Sequence, residues 1–296
     1  MYDEILLTTD GTECSVQAAK HGLAFAEAFD ATVRIITVIN VQAAGGLFDA
    51  GGVTADYVES LESRGQKMID EIADLAAPTT TVRTEVLKGI PSDSILEYAE
   101  DGSFDLVVLG THGRTGVRRV LTGSVAEHVI RHADIPTLTV RERDERVEPS
   151  FERILVPTDG SEYAQQAVEH GLSVAEAFDA TVHALYVIDT GIIAPRLEDH
   201  IPETVRAALE TEGKTAIEAV ESQARRTSVE TVTSLTEGVP EREILAYADE
   251  HDIDLIAMGS HGRTGLDRFL LGSTTERVLR GAPSPVLSVR KPVTDE

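Results

Sequence analysis

Residues 5–13 read ILLTTDGTE and residues 154–162 read ILVPTDGSE, so one motif occurs twice at a spacing of 149 residues. At this spacing, 21 of the 38 residues from position 3 to position 40 are identical to their counterparts. The same spacing holds for GTHGRTGVRRVLTGS, residues 110–124, and GSHGRTGLDRFLLGS, residues 259–273. The repeat predicts two homologous domains, at residues 1–140 and 151–291. The charged segment RERDERVEPS, residues 141–150, is predicted to be the linker.

Short apolar segments alternate with helical patterns inside each copy. In the first half, strands are predicted at 5–9, 32–39, 81–87, 105–110 and 136–140, and helices at 13–29, 55–77, 92–100 and 124–132. Nearly continuous apolar strands separated by helices are typical of a parallel sheet covered on both faces. The sequence therefore predicts an α/β fold, with two tandem doubly wound domains that each have a five-stranded parallel sheet.

The overall charge argues against one class of partner. The chain has 51 Asp and Glu residues against 26 Lys and Arg residues, which gives a net charge of −25, and only five of the basic residues are Lys. Nucleic-acid binding depends on basic residues that neutralise phosphates, so a nucleic-acid partner is not expected. An acidic surface of this kind fits either a halophilic cytosol or an ordinary acidic cytoplasmic protein.

The N-terminus and the cysteine content indicate a cytoplasmic protein. The opening MYDEILLTTD lacks the basic and apolar regions of a signal peptide, and the sequence has no run of 18 apolar residues. Cys14 is the single cysteine, so an internal disulfide is excluded, as is a metal cluster held by several cysteines. Neither export nor a membrane partner is expected.

The first predicted strand ends in Thr9-Asp10-Gly11, which recurs as Thr158-Asp159-Gly160. Open parallel sheets bind ligands beyond the carboxyl ends of their strands. Each Asp is therefore either the N-cap of the helix that follows or an acceptor for ribose hydroxyls or an adenine amine.

A glycine-rich segment follows the fourth predicted strand. It has Gly110, Gly113 and Gly123-Ser124 in the first half, and Gly259, Gly262 and Gly272-Ser273 in the second. Glycines permit close approach and positive φ, and the final Gly-Ser opens a helix whose N–H groups favour an anion. This pattern predicts a phosphate site. It is neither a Walker loop, since no Gly-Lys follows, nor the dinucleotide fingerprint, since it does not follow the first strand.

Structural roles for the same residues stay open. Ser124 and Ser273 each fit the capping box Ser-x-x-Glu, which does not exclude a phosphate contact. His112 and His261 are expected to be turn residues rather than catalytic groups. The loops also hold arginines, which either attract an anionic ligand or pair with acidic residues: Arg114, Arg118 and Arg119 in the first half, and Arg263 and Arg268 in the second.

These residues resemble the universal stress protein family, whose adenine-nucleotide-binding members carry Gly-x2-Gly-x9-Gly-Ser/Thr. Both halves match this motif in full, and the likeness covers essentially the whole chain outside the linker and the tail. The resemblance implies ATP or AMP, with or without Mg²⁺, across the strand ends of each domain. The Asp would contact ribose, the backbone near Val38 or Val187 the adenine, and the glycines and serines the phosphates. The implied contacts are Thr9, Asp10, Val38, Gly110, His112, Gly113, Arg114, Gly123, Ser124 and Val125 in the first half, and Pro157, Thr158, Asp159, Val187, Met258, Gly259, His261, Gly262, Arg263, Gly272, Ser273 and Thr274 in the second.

The resemblance also implies association through the last strand. The segments 136–140 and 285–289 would meet as a pseudo-dimer within one chain, or the chain would form a homodimer. The halves differ at Thr8, where the second half has Pro157. A proline there would order the loop to Asp159, which favours tighter binding in the second half, whereas the extra arginine of the first loop favours the first.

Three functions are compatible with these features. The leading one is a nucleotide-binding stress-response or regulatory protein. The second is a slow ATP-hydrolysing or nucleotidyl-transferring enzyme in which Asp10 and Asp159 help to hold Mg²⁺. The third is a ligand-free dimerisation module whose glycines serve only turns.

Overall fold

The computed structural model describes residues 1–41, 54–111, 123–141, 149–190, 203–262 and 271–290. The chain divides into two compact units, Met1–Pro149 and Ser150–Glu296. The predicted linker lies mostly outside the described residues. The elements of the first unit are β1 (Glu4–Thr8), α1 (Glu13–Phe29), β2 (Thr32–Ile39), α2 (Ala55–Ala73), β3 (Val82–Lys88), α3 (Pro91–Asp101), β4 (Leu106–Gly110), α4 (Ser124–His132) and β5 (Thr137–Val140).

The second unit repeats this order of elements. They are β6 (Arg153–Pro157), α5 (Glu162–Phe178), β7 (Thr181–Asp189), α6 (Glu203–Thr227), β8 (Thr231–Gly238), α7 (Pro240–Glu250), β9 (Leu255–Gly259), α8 (Ser273–Gly281) and β10 (Val286–Val289). None of the described helices combines the length and the apolar character needed to cross a lipid bilayer.

Each unit contains a five-stranded parallel sheet. The strand order is β3-β2-β1-β4-β5 in the first unit and β8-β7-β6-β9-β10 in the second. The neighbouring strands run parallel throughout. The predicted α/β fold with tandem doubly wound domains is confirmed.

Helix boundaries follow local chemistry. The predicted helix at 13–29 is present as α1; of its apolar residues at helical spacing, Ala19, Leu23 and Ala26 are buried and Val16 is half-buried. The prediction that the next helix reaches residue 77 is wrong, because α2 ends at Ala73. Leu75 N and Ala76 N donate to Ile72 O and Ala73 O in tight turns, and Pro78 disfavours helical backbone at Ala77, the predicted last residue.

The core of the first unit has two layers because alternate strand residues point to opposite faces of the sheet. Leu6 and Val107 pack with Ile95 and Val129 of α3 and α4. On the other face, Gly22 of α1 lies directly over Leu7 and Val108. A side chain at residue 22 would push α1 away from the sheet, so this glycine sets the close approach of helix and strand.

The strand order reverses at one place in each sheet. β1 has β2 on one side and β4 on the other, and β6 likewise lies between β7 and β9. Such a reversal opens a crevice at the carboxyl ends of the two central strands. Asp10 follows β1 and Gly110 ends β4, and Asp159 and Gly259 take the same positions in the second unit. The fold therefore places the predicted residues at the switch point of each sheet.

A polar cluster on the second strand of each unit, at Arg34 of β2 and at His183 of β7, differs between the two units. In the first unit, Arg34 Nη1 donates to Tyr98 Oη (2.8 Å), which donates to Glu85 Oε2 (2.7 Å). In the second, His183 replaces the arginine, and its Nδ1 lies 3.0 Å from Tyr247 Oη.

Burial lowers the pKa of His183, and the charges of His251 and Arg153 lower it further. Burial also lowers the pKa of His170, to about 4.

We expect the second unit to lose stability as the pH falls below about 6.5. Because the folded-state pKa values of His170 and His183 lie below the ordinary value, the unfolded chain binds protons in this range before the folded chain does. His170 should lower the free energy of unfolding by about 2 kcal/mol at about pH 5, and His183 should add to this loss, with no change above about pH 7. Urea unfolding of wild type and His183→Gln at both pH values measures this. An equal loss of stability in both proteins would contradict the role of His183.

Candidate nucleotide-binding site

The loop after the first strand of each unit is held by its own side chains. Thr9 Oγ1 accepts a hydrogen bond from Gly11 N (3.0 Å), and Asp10 Oδ1 accepts from Thr12 N (3.1 Å). In the second unit, Thr158 Oγ1 accepts from Gly160 N (3.2 Å) and Asp159 Oδ1 accepts from Ser161 N (2.9 Å). Gly11 and Gly160 have φ values of 78° and 76°, which glycine adopts without strain. The two loops therefore share one conformation.

The N-cap interpretation of Asp10 and Asp159 is wrong. Thr12 is the N-cap of α1, and its side chain accepts from Ser15 N; Ser161 caps α5 in the same way. Each Asp lies two residues before the cap and orients the loop through Oδ1. A carboxylate has lone pairs for several bonds, so it can accept a ligand hydroxyl in addition.

The capping-box interpretation of Ser124 and Ser273 is also wrong. The N-caps are Gly123 and Gly272, neither of which has a side chain to cap the helix, so each serine is the first helical residue. Both serines are exposed. Within the part of the chain that the structure describes, their hydroxyls and N–H groups make no hydrogen bond. The first turns of α4 and α8 therefore present N–H groups outward, as do Val125 and Thr274 one residue further on.

The glycines of the motif are needed because other backbone atoms lie close to them, and not because their φ values are unusual. Gly123 and Gly272 have φ of −53° and −59°, so neither uses the positive φ that glycine permits. A Cβ on Gly272 would lie 3.2 Å from Ser260 O. A Cβ on Gly110 would lie 3.0 Å from Cys14 O, and one on Gly259 would lie 3.0 Å from Tyr163 O. These glycines let a strand end contact the backbone of a helix.

The second unit brings three of the predicted residues together. A Cβ on Gly262 would lie 3.0 Å from Asp159 Oδ2, which joins the loops after β6 and β9. His261 is buried, and its Nδ1 lies 2.9 Å from Ser260 Oγ. Its ring packs against Tyr163 at 5.4 Å between centroids. The position of His261 after the end of β9, beside Ser260 and Tyr163, is compatible with a turn role, which stays a prediction.

The predicted adenine contacts lie on the neighbouring strand. Thr9 N donates to Ile36 O (3.0 Å) and Thr158 N donates to Leu185 O (2.9 Å). Val38 and Val187 stand two residues further along β2 and β7, and both are half-buried. Met258 is buried one residue before the end of β9, and Pro157 ends β6.

The remaining predictions fall on residues outside the described ranges: His112, Gly113, Arg114, Arg118 and Arg119 in the first half, and Arg263 and Arg268 in the second. Among the residues that the structure describes, no group of three or more His, Cys, Asp or Glu side chains could hold a metal ion.

Sequence reasoning missed the roles of Gly11, Thr12, Ser161 and Tyr163. The signal for Gly11 was present in the sequence, because an Asp-Gly pair is typical of a turn with a positive φ at the glycine. Nothing in the local sequence indicates that Tyr163 contacts the end of the fourth strand, because that contact depends on how α5 packs on β9.

Comparison with known proteins agrees with the repeat. The family model described as "Universal stress protein family" matches residues 1–141 and again 150–290. A universal stress protein of Methanocaldococcus jannaschii is 40% identical over 142 residues, which are 48% of this chain and 84% of that protein. One from Mycolicibacterium smegmatis is 28% identical over 295 residues, covering 97% of this chain and 96% of that protein.

A solved structure shows the same architecture over the full length. The crystal structure of a universal stress protein from Archaeoglobus fulgidus superposes with a TM-score of 0.72 at 23% identity, covering 98% of this chain and 97% of that one. At 23% identity, this similarity shows only that the two proteins share a fold. Taken with the two matches to the family model, it shows that the chain belongs to the universal stress protein family and carries that family's domain twice.

Proposed function

We propose that each half binds one adenine nucleotide, ATP or AMP, and that the chain is a regulatory or stress-response protein whose partner binding depends on nucleotide occupancy. One observation carries this proposal. At the switch point of the second unit, a Cβ on Gly262 would lie 3.0 Å from the Asp159 carboxylate, and one on Gly272 would lie 3.2 Å from Ser260 O, so the unused N–H groups of α8 begin beside the end of β9. A hydroxyl acceptor and an anion-binding helix start are the two features that a ribose phosphate needs.

The residues fit the parts of a nucleotide. The backbone N–H groups and hydroxyls at Ser273 and Thr274 would hold the phosphates, with the positive end of the α8 dipole favouring negative charge. Asp159 would accept from the ribose, because a carboxylate is an acceptor for hydroxyls and repels phosphate. The half-buried Val187 would lie against the base.

The first unit supplies the corresponding groups. Ser124 and Val125 open α4, and Asp10 follows β1 in the same loop conformation as Asp159. Mg²⁺ would be held mainly through the phosphates of the nucleotide, because this ion keeps several waters and needs few protein carboxylates.

We expect two nucleotides per chain, with one site lost for each serine changed. Ser124→Tyr and Ser273→Tyr put a bulky side chain over one helix start, and neither serine is packed or hydrogen-bonded within the described residues. Calorimetric titration with ATP should therefore give one site in each single variant and none in the double variant, with unchanged thermal unfolding. Mass spectrometry of small molecules that copurify with the wild type would identify the nucleotide.

Unchanged stoichiometry in the double variant would contradict the assignment. Turnover of Mg-ATP by the wild type above that of the double variant would instead favour the enzyme alternative. The pseudo-dimer, the homodimer and the halophilic origin stay predictions; separately expressed halves that fail to associate at micromolar concentration would contradict the first.

A further inference from the structure

The two candidate sites differ at the third residue of the helix that follows the glycine motif. In the second unit this residue is Thr275, which is buried and donates from Oγ1 to Gly259 O at 2.8 Å. In the first unit the equivalent residue is Ala126, which is also buried and has no hydroxyl to make this bond. A side chain thus ties the start of α8 to the end of β9.

The backbone around the two helix starts is otherwise the same. Gly123 N donates to Thr111 O, and Gly272 N donates to Ser260 O at 2.9 Å. The N-cap ψ is 139° in both units. The side chains in the first three helical positions differ at two places, Val125 against Thr274 and Ala126 against Thr275, and of these Thr275 bonds to the end of β9.

The difference at Thr8 and Pro157 does not alter the adjacent loop. Gly11 and Gly160 have φ values within 2° of each other, 78° and 76°. Thr8 Oγ1 donates to Val108 O (3.3 Å) on the neighbouring strand, so it fastens the end of β1 where the proline stiffens the end of β6. The two loops therefore share one backbone conformation in spite of this difference, and the effect of Pro157 on loop ordering stays a prediction.

The carbonyl that Thr275 binds is itself fixed. A Cβ on Gly259 would lie 3.0 Å from Tyr163 O and 3.0 Å from His261 O, so the strand end is packed against backbone on two sides. A helix start bonded to this point has little freedom to move. A site whose donors are already in place loses less conformational entropy on binding.

We propose that Thr275 is a positioning residue that makes the second site the tighter one for phosphate-bearing nucleotides, an inference that rests on the proposed function. Thr275 holds the N–H groups of Ser273 and Thr274 in place and does not itself bind the ligand. The effect is specific to the phosphate part, because the hydroxyl fixes the helix start and leaves the Asp159 loop unchanged.

The test uses the full chain with one site silenced at a time. In the Ser124→Tyr background, Thr275→Ala should weaken ATP binding by roughly three- to tenfold, as expected for one hydrogen bond. Thr275→Ser should restore it. In the Ser273→Tyr background, Ala126→Thr should strengthen ATP binding by a similar factor, a gain that damage to the fold cannot produce. Adenosine, which lacks phosphate, should bind equally well to all of these proteins. Thr211→Ala serves as the control variant, because it removes a 2.8 Å side-chain hydrogen bond to Ala207 O on α6.

Each outcome decides the proposal. Opposite changes in ATP affinity at the two sites, with adenosine unaffected, support it. Unchanged ATP affinity in both substituted proteins overturns it and leaves the proposed function intact. An equal change in affinity for ATP and adenosine has the same consequence, because it would show a general structural role. Failure of the unsubstituted protein to bind ATP at either site overturns both the inference and the proposed function.

Discussion

Gly259→Ala is expected to cost the second unit about 2–3 kcal/mol of its free energy of unfolding, in the range of an overpacked core. The added Cβ would lie 3.0 Å from two carbonyl oxygens, of Tyr163 and His261. Both atoms belong to the backbone, so no side chain can rotate away, and α5 must separate from β9 instead. Urea unfolding followed by circular dichroism measures the loss.

Gly281→Ala is the matched control in the same unit. There the new Cβ would meet the end of the Leu245 side chain, which can change its rotamer, and alanine is the better helix former at this last residue of α8. A change within about 1 kcal/mol is expected. If Gly259→Ala were as mild as Gly281→Ala, the close approach of α5 and β9 would not be a constraint on this fold.

Asp254→Ala is expected to destabilise the second unit by about 2–4 kcal/mol. The Asp254 side chain is 7% exposed, and its Oδ2 accepts from Glu152 N (2.9 Å) and Arg153 N (2.8 Å). Alanine leaves both N–H groups at the start of β6 without this acceptor, and hydrogen bonds to a charged group are stronger than neutral ones. The measurement is again urea unfolding at neutral pH.

Asp252→Asn separates this effect from loss of charge. The Asp252 side chain is 78% exposed and pairs with Arg153 at 3.9 Å. Asparagine removes the charge and tolerates the φ of 46° at this position, so stability should change by no more than about 0.5 kcal/mol. In the first unit, Asp105 Oδ2 accepts from Asp3 N and Glu4 N, and Asp105→Ala should repeat the large loss there. Equal effects of Asp252→Asn and Asp254→Ala would refute the backbone role.

The candidate site has the same dependence on the fold. Its parts come from the loop after β6, the end of β9 and the start of α8, which are far apart in the sequence and meet only at the switch point. Variants that loosen α5 on β9, such as Gly259→Ala, therefore disturb the site through packing, and Gly259 is itself one of the implied nucleotide contacts. For this reason the functional tests use Ser124 and Ser273, which lie on the surface.

The sequence by itself determined the two-domain repeat, the parallel α/β class and several elements to the residue, among them α1, β2 and α4. These depend on local patterns: apolar periodicity, β-branched runs and turn residues act within a few residues of each other. It also located the candidate site, because a doubly wound sheet leaves its loops at the carboxyl ends of the strands.

Only the tertiary structure decided what individual residues do there. Asp10 was open to an N-cap role, yet Thr12 is the cap, and Gly272 is needed for its approach to Ser260 O. The hydrogen bond from Thr275 to Gly259 O, which the second unit has and the first lacks, joins residues 16 positions apart. Such roles depend on distances between segments that the packing of helices on the sheet brings together, and local sequence patterns carry no record of those distances.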